Sequence, residues 1–332
     1  MTERRAKQRR IKLGLTCTPG GHYEQMLNLA ELYRRYPHFW ITASSPQALH
    51  SAEDDKKYFI VLAHFKRPWQ YLTHLPEVLR AFLAERPTHI LSTGSGRIVF
   101  IPYLISRMAR VKFIHIETFS HVHSLTKMGR ILSALGHPVY SQWDSSRKKA
   151  IYIGPILGGA PVEPRASMAP PQVFVTTGTR TEPFPRLLLA VEALIREGVI
   201  RERVVVQAGH TRFRSELMEI FDFCPPAEID ALIRGSRYVI TQESAGIATK
   251  CLKAAVKFLV MPRSYANREL PAMSDMNEDL HIRLAEMGFT EVVHDVPGMR
   301  AAVERIDGLK TGFPFDNSRA LRALRAIIEE GT

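Results

Sequence analysis

Two runs of alternating strand and helix signals, separated by one stretch dense in proline and glycine, constrain this chain most. In the first half, β-rich runs at 11–18, 38–42, 58–62, 89–92, 111–116, 139–142 and 151–153 are separated by helical periodicity. That periodicity is clear after Met26 and over 69–85, 98–109 and 125–135, with Pro76 reading as the start of a second segment within 69–85. Residues 154–171 hold five prolines and three glycines, the best linker in the chain. Strands at 172–177, 203–207, 217–221, 238–241, 257–261 and 291–293 then alternate with helices at 184–197, 227–235, 244–254 and 278–287 and two terminal helices. Such alternation builds βαβ units on a parallel sheet. The expectation is two Rossmann-like, doubly wound α/β domains, 1–154 and 172–332, joined by a linker at 155–171. Ligands are expected at the carboxyl ends of the strands, in a cleft between the domains.

Composition narrows the class. A chain of 332 residues with 45% hydrophobic and 23% charged content is an ordinary globular protein of about two domains. Three scattered cysteines, Cys17, Cys224 and Cys251, make neither a disulfide framework nor a structural zinc site. No run of 18 apolar residues is present, so no transmembrane helix is expected, and the opening MTERRAKQRR is not a secretory signal.

Charge is distributed unevenly. Residues 1–154 carry 23 Lys and Arg against 10 Asp and Glu, whereas 155–332 carry 22 against 23. The whole excess of the +12 net charge therefore lies in the first half. That half is suited to an anionic partner: nucleic acid, an anionic membrane surface or a phosphorylated substrate. An Arg-rich solvated surface is the bland alternative. No nucleic-acid motif accompanies the charge, so nucleic acid is not expected as a partner.

Candidate chemistry sits at the strand ends. Gly20-Gly21-His22 follows the first strand and opens a helix, where the backbone passes close to a ligand and N–H groups face an anion. No G-x-G-x-x-G, Walker A, H-E-x-x-H or C-x-x-C motif is present, so no metal site or cofactor is expected. Glu117 follows the strand VKFIHI amid His115, His121 and His123, and is a general-base candidate as well as a plain loop carboxylate. In the second half, Thr177-Gly178-Thr179, Gln207-Ala208-Gly209-His210 and Ser244-Ala245-Gly246 are small-residue strand ends that together read as a diphosphate cradle of backbone N–H groups.

These residues resemble a known family. Gly20-Gly21-His22-Tyr23-Glu24-Gln25-Met26-Leu27, Ser92-Thr93-Gly94-Ser95-Gly96, Phe113-Ile114-His115-Ile116-Glu117-Thr118, Gly129-Arg130-Ile131-Leu132, Ser141-Gln142-Trp143 and Tyr152-Ile153-Gly154 look like the membrane-associated subunit of the eukaryotic enzyme that adds the second N-acetylglucosamine to dolichol-linked oligosaccharide. The runs 173–179, 206–209 and 260–263 resemble its catalytic partner subunit. Similar bacterial pairs build exopolysaccharide, and the peptidoglycan lipid II synthase is a more distant relative. The resemblance implies that counterparts of both subunits are fused here in one polypeptide.

The resemblance implies an inverting, metal-independent glycosyltransferase of the GT-B fold. It would take a UDP-sugar in the C-terminal half and a polyprenyl-diphosphate-linked sugar in the N-terminal half, at the cytoplasmic face of the membrane. It implies His22 or Glu117 as the base, with His22 favoured because its ordinary pKa lies near neutrality. It places acceptor contacts at Gly20, Gly21, Glu24, Thr93, Gly94 and Ser95. Donor contacts fall at Gly178, Thr179, Gln207, Gly209, Gln242, Glu243, Ser244, Gly246, Arg263 and Glu269. No D-x-D motif is present to hold a divalent ion on the diphosphate. Arg4, Arg5, Lys7, Arg9, Arg10 and Lys12 would form a basic arm on anionic lipid, and Trp69, Tyr71 and Leu72, near Lys66 and Arg67, would dip into the interface. The chain departs from the family in three respects. Its His-x-Gly-x-Gly-Ser run reads Gln242, Glu243, Ser244, Ala245, Gly246, Ile247 here; its Asp-Asn-His-Gln run matches only loosely around 275–281; and its N-terminal transmembrane helix has no counterpart. An exopolysaccharide glucuronosyltransferase, with Arg180 or Arg212 facing the sugar carboxylate, and a sugar-nucleotide epimerase of related fold are the alternatives.

Overall fold

The computed structural model describes residues 10–45, 48–49, 55–62, 67–146, 150–158, 172–270 and 279–330. Arg4, Arg5, Lys7, Arg9 and Lys66, and most of the expected linker, lie outside them. The described residues divide into two compact units.

The first unit runs β1 (Leu13–Thr16), α1 (Gly21–Leu27), α2 (Ala30–Tyr33), β2 (His38–Thr42) and β3 (Lys57–Phe59). A 3-10 stretch over Pro68–His74 leads into α3 (Leu75–Glu85), with Pro76 in the first turn where its missing N–H costs nothing. Then follow β4 (His89–Ser92), α4 (Gly96–Ala109), β5 (Lys112–Ile116), α5 (Lys127–Ala134), β6 (Val139–Ser141) and β7 (Ile151–Tyr152). The seven strands order as β3-β2-β1-β4-β5-β6-β7, all parallel. Side chains alternate across the sheet. Leu13, Leu15, Trp40, Leu91, Ile114 and Ile116 pack with α1 and α2 on one face. Phe39, Ile41, Ile90 and Phe113 pack with α3, α4 and α5 on the other.

The second unit runs β8 (Gln172–Thr176), α6 (Pro185–Arg196), β9 (Arg203–Gln207), β10 (Glu219–Phe221), α7 (Pro226–Arg234), β11 (Ser236–Thr241), α8 (Ala245–Lys253), β12 (Lys257–Val260), α9 (Asp279–Glu286), β13 (Thr290–Val292) and α10 (Val296–Glu304). Its six parallel strands order as β10-β9-β8-β11-β12-β13. Both sheets thus repeat one winding, with the order reversing between β1 and β4 and again between β8 and β11. Reversal points of this kind open the crevices in which doubly wound sheets take ligands.

Three details differ from the sequence reading. The helix after Gly20-Gly21 breaks at Asn28, whose side chain donates to the Glu24 carbonyl at 2.7 Å, and restarts at Ala30. Residues 155–158, expected in the linker, belong to the first unit, with Ile156 and Leu157 buried. The last helix, α11 (Ser318–Glu329), was expected in a second domain extending to residue 332, but it belongs to the first unit. Ala320, Leu324 and Ile328 bury against the face that carries Leu13, Leu15 and Trp40, and the Lys112 ammonium caps the helix at the Ile327 and Glu330 carbonyls. Among the described residues, no helix is long and apolar enough to cross a membrane.

Candidate functional site

In the first unit the expected residues gather where β1 and β4 diverge. Gly20 adopts φ +86°, a left-handed backbone that suits glycine, and turns the chain from β1 into α1. Gly94 allows the β4–α4 turn to lie against β1, since a Cβ there would meet the Cys17 Cα at 3.0 Å and a Val99 methyl at 2.8 Å. Half-buried His22 and buried Thr93 clasp each other across this junction. The His22 Nδ1–H donates to the Thr93 carbonyl at 2.5 Å, and the Thr93 hydroxyl donates to the His22 carbonyl at 2.9 Å. A carbonyl can only accept, so Nδ1 carries the hydrogen and Nε2 keeps its lone pair. Among the described residues Nε2 has no protein hydrogen bond. Burial holds the imidazole below its ordinary pKa, the Thr93 carbonyl pulls the other way, and His121 adds a smaller downward push. At neutral pH His22 is therefore a neutral base with Nε2 available. Ser95 sits at the start of α4, and Glu24 lies on the exposed side of α1.

Glu117 is placed differently from a general base open to substrate. Only 2% exposed, it accepts from the Thr126 hydroxyl at 2.9 Å and the Thr126 N–H at 3.2 Å. Thr126 in turn caps α5 through the Gly129 N–H at 3.0 Å. A Cβ on Gly129 would fall 1.7 Å from the carboxylate, so that helix start fits closely around Glu117. Burial raises its pKa to about 7 against the lowering effect of the Thr126 bonds. Behind it, buried His115 bonds Ser92 at 3.1 Å and points Nε2 at the carboxylate across 3.9 Å. Glu117 therefore organises the segment leading from β5 to α5.

Sequence reasoning gave no weight to a pair of buried amides here. Gln25, one turn beyond His22 on α1, accepts from the Phe119 N–H at 2.9 Å and the Gln142 amide at 2.7 Å. It donates to the Thr118 hydroxyl at 3.1 Å. Gln142, after β6, also donates to the Glu117 carbonyl at 2.8 Å and accepts from the Ile156 N–H at 3.1 Å. The one signal in the sequence is that both residues lie within the quoted runs.

In the second unit the expected donor residues meet where β8 and β11 diverge. Gly178 stands at φ +76°, and a Cβ there would come within 1.9 Å of the Gln242 amide; one on Gly209 would meet the Gly178 carbonyl at 2.3 Å. The expected cradle is reduced by this packing. The N–H groups of Thr177, Gly178, Ala208 and Gly209 already bond Gln207, Thr176, Phe221 and Asp222, and the Gln207 side chain bonds Thr176 at 3.0 Å. The outward donors are at the start of α8. Ser244 accepts from the Ile247 N–H at 3.3 Å, which leaves the N–H groups of Ala245 and Gly246 facing out of the helix end beside an open space at Gly246. Thr179 is exposed.

Arg263 and Glu269 are engaged inside the protein. The buried Arg263 guanidinium donates to the Thr177 carbonyl at 2.8 Å, the Glu182 carbonyl at 2.7 Å and the Gln242 side chain, and lies 4.8 Å over Phe184. Both oxygens of Glu269 are held by Arg186 at 2.9 Å. These two side chains position the strand-end loops and leave little capacity for direct contact with a ligand. Glu243 accepts from the Arg263 N–H at 2.8 Å through one oxygen, its other oxygen is buried without a partner, and burial raises its pKa. Among the described residues no cluster of three or more His, Cys, Asp or Glu side chains could hold a metal ion.

No protein-family model matches the chain, and no curated protein sequence matches it. Solved structures do. MurG of Acinetobacter baumannii superposes with a TM-score of 0.60 at 13% identity, covering 95% of this chain and 94% of that one. The UDP-GlcNAc 2-epimerase of Methanocaldococcus jannaschii gives 0.66 at 12% identity, covering 97% and 100%. MnaA of S. aureus, solved with UDP, gives 0.69 at 12% identity, covering 96% of each chain. The fold is that of the GT-B glycosyltransferases and of the UDP-GlcNAc 2-epimerases, two Rossmann-like domains with parallel sheets of seven and six strands.

Proposed function

We propose that this protein is an inverting, metal-independent glycosyltransferase that moves N-acetylglucosamine from UDP-N-acetylglucosamine to a polyprenyl-diphosphate-linked sugar, through a β-1,4 linkage, in N-glycan or surface polysaccharide synthesis. The observation that carries the reading is His22, with its tautomer fixed by Thr93 and Nε2 available at a sheet reversal point. The acceptor hydroxyl oxygen attacks the anomeric carbon as its proton passes to Nε2. The bond from that carbon to the diphosphate oxygen breaks on the opposite side, and UDP departs with the electron pair. The N–H groups at the start of α8 supply dipoles for the diphosphate.

A membrane-facing acceptor half is supported by the outer side of α3, α4 and α5. Leu72, Leu75, Leu79 and Leu83, three or four residues apart, are 66%, 39%, 41% and 75% exposed. Met108 on α4 and Leu135 just after α5 are exposed as well. Between residues 86 and 143 there are seven Lys and Arg, and the one acid is the buried Glu117. An exposed apolar row in the half of the chain that carries the excess positive charge fits an anionic lipid surface. A second copy of this chain would bring the same cations, and nucleic acid would leave the leucines without apolar contact.

The test is mass spectrometry of synthetic lipid-diphosphate sugars incubated with a panel of UDP-sugars. Addition of one N-acetylhexosamine is expected. Transfer of glucuronate instead would favour the exopolysaccharide alternative. Release of UDP from UDP-N-acetylglucosamine with no acceptor, accompanied by the 2-epimeric sugar, would favour the epimerase.

A further inference from the structure

One buried side chain of the second unit keeps a hydrogen-bond donor that the protein itself does not use. We propose that Gln242 is the side-chain donor that grips the diphosphate of a nucleotide ligand where β8 and β11 diverge, with Arg263 the positioning residue that turns the Gln242 amide toward it. The inference rests on the second unit taking a UDP-sugar, and it deepens that reading by naming a group that meets the phosphates and what aims it.

Donors and acceptors fix the direction of the amide. Gln242, the first residue after β11, is 6% exposed. The Arg263 Nε–H can only donate, so the Gln242 oxygen faces it and the NH2 faces the other way. The guanidinium is itself held by the carbonyls of Thr177, Glu182 and Glu269, at 2.8, 2.7 and 3.2 Å, so it cannot turn to let the amide flip. The NH2 lies over the Gly178 turn that ends β8, where a Cβ would fall 1.9 Å from it. Among the described residues it has no hydrogen-bond partner, yet it is not an enclosed atom, so it opens into the crevice between the two strand ends. A half-buried donor left unpaired costs free energy that a ligand oxygen recovers.

The donors that follow in sequence suit an anion. The N–H groups of Ala245 and Gly246 face out of the start of α8, a nine-residue helix capped by Ser244. Glu243, between Gln242 and this helix, is tied by one oxygen to the Arg263 N–H at 2.8 Å. A phosphate group accepts several hydrogen bonds at once, whereas a uracil carbonyl or a sugar hydroxyl meets one or two. Gln242 and the start of α8 therefore match the diphosphate better than the base or the sugars.

The experiment measures binding to the full chain, of UDP by calorimetry and of uridine at millimolar concentration by ligand-observed NMR. Gln242→Glu keeps an acceptor for Arg263 and puts an oxygen where the NH2 was. It should weaken UDP about ten- to hundredfold, the worth of one hydrogen bond to a charged group, and leave uridine binding unchanged. Gln242→Met, which removes the donor without adding charge, should give the same pattern with a smaller loss and serves if the first variant fails to fold. Arg263→Lys, which loses the Nε–H, should weaken UDP in the wild-type background and have no further effect when Gln242→Met is already present. Unchanged UDP affinity in the folded Gln242 variants, or an equal loss for uridine, would overturn the proposal. An equal effect of Arg263→Lys in both backgrounds would overturn its positioning role. A wild-type protein that binds no UDP would overturn this inference and the donor reading together. The expected binding pattern in a protein that transfers no sugar would instead overturn the transferase reading and leave Gln242 standing.

Discussion

Thr93 decides which nitrogen of His22 can work. Because its carbonyl holds Nδ1–H, Nε2 is the basic nitrogen, and burial keeps the ring neutral at physiological pH. His22→Ala should therefore reduce turnover on the order of 10²–10⁴-fold, the usual worth of a general base, with UDP affinity intact. The sign of the pH dependence follows from the lowered pKa. Turnover holds at neutral pH and falls on acidification only below the ordinary histidine value of about 6.5, as the imidazole takes a proton. A wild-type acid limb lying above that value would count against the assignment. Glu117 should behave as a structural carboxylate. Glu117→Ala leaves Thr126 without its buried acceptor and should lower stability by about 1–3 kcal/mol in urea unfolding, as an unpaired buried polar group does. Glu117→Gln keeps an acceptor for Thr126 and should recover most of that loss. A Glu117→Ala protein of unchanged stability but abolished turnover would return the base role to the carboxylate.

At the scale of elements, two helices carry separate predictions. The start of α8 offers outward N–H groups, and a Cβ on Gly246 would meet only the Ser244 hydroxyl, at 3.9 Å. Ser244→Arg or Gly246→Arg should fill that space and weaken UDP binding measured by calorimetry, without altering vesicle binding. Undiminished UDP affinity would place the donor elsewhere. The C-terminal helix α11 is a buried part of the first unit. Leu324, fully buried there, should cost about 2–5 kcal/mol on replacement by Ala, the range for emptying a packed leucine site. Loss of only a few tenths would mean that α11 is loosely held.

Across the whole molecule, buried histidines make acid the destabilising condition. Burial holds His89 and His281 at about 4 and His115 at about 3, against the ordinary 6.5. The unfolded chain binds these protons first, so stability falls as the pH drops from 6.5 through 4. Each histidine accounts for roughly 3 kcal/mol at pH 4 as an upper figure, at about 1.4 kcal/mol per pKa unit. Glu117, raised to about 7, has the opposite sign: its unfavourable contribution at neutral pH disappears by about 4.5. Three histidines outweigh one carboxyl, so urea midpoints should decline steadily between pH 6.5 and 4. A flat profile would mean that water reaches these rings. Binding to vesicles containing phosphatidylglycerol should weaken with added salt, and Leu79→Glu with Leu83→Glu should abolish it. Binding that survives both changes would remove α3 from the membrane contact.

What the sequence determined by itself is what depends on neighbours along the chain. Strand and helix alternation set two parallel α/β sheets, because side-chain period and turn residues are local properties. The same alternation put Gly20-Gly21-His22 and Ser244-Ala245-Gly246 at strand ends, where parallel sheets leave their crevices. Tertiary structure decided what depends on partners far apart. The tautomer of His22 is set by a residue 71 positions away, and Gln25 meets Gln142 across 117 positions. Glu117 and Arg263 were legible as charged residues at strand ends, but whether such a charge faces a ligand or the protein's own backbone depends on which loops fold around it. Helix α11 joined the first unit because Ala320, Leu324 and Ile328 found an uncovered apolar face there, and burial of apolar surface does not depend on order along the chain.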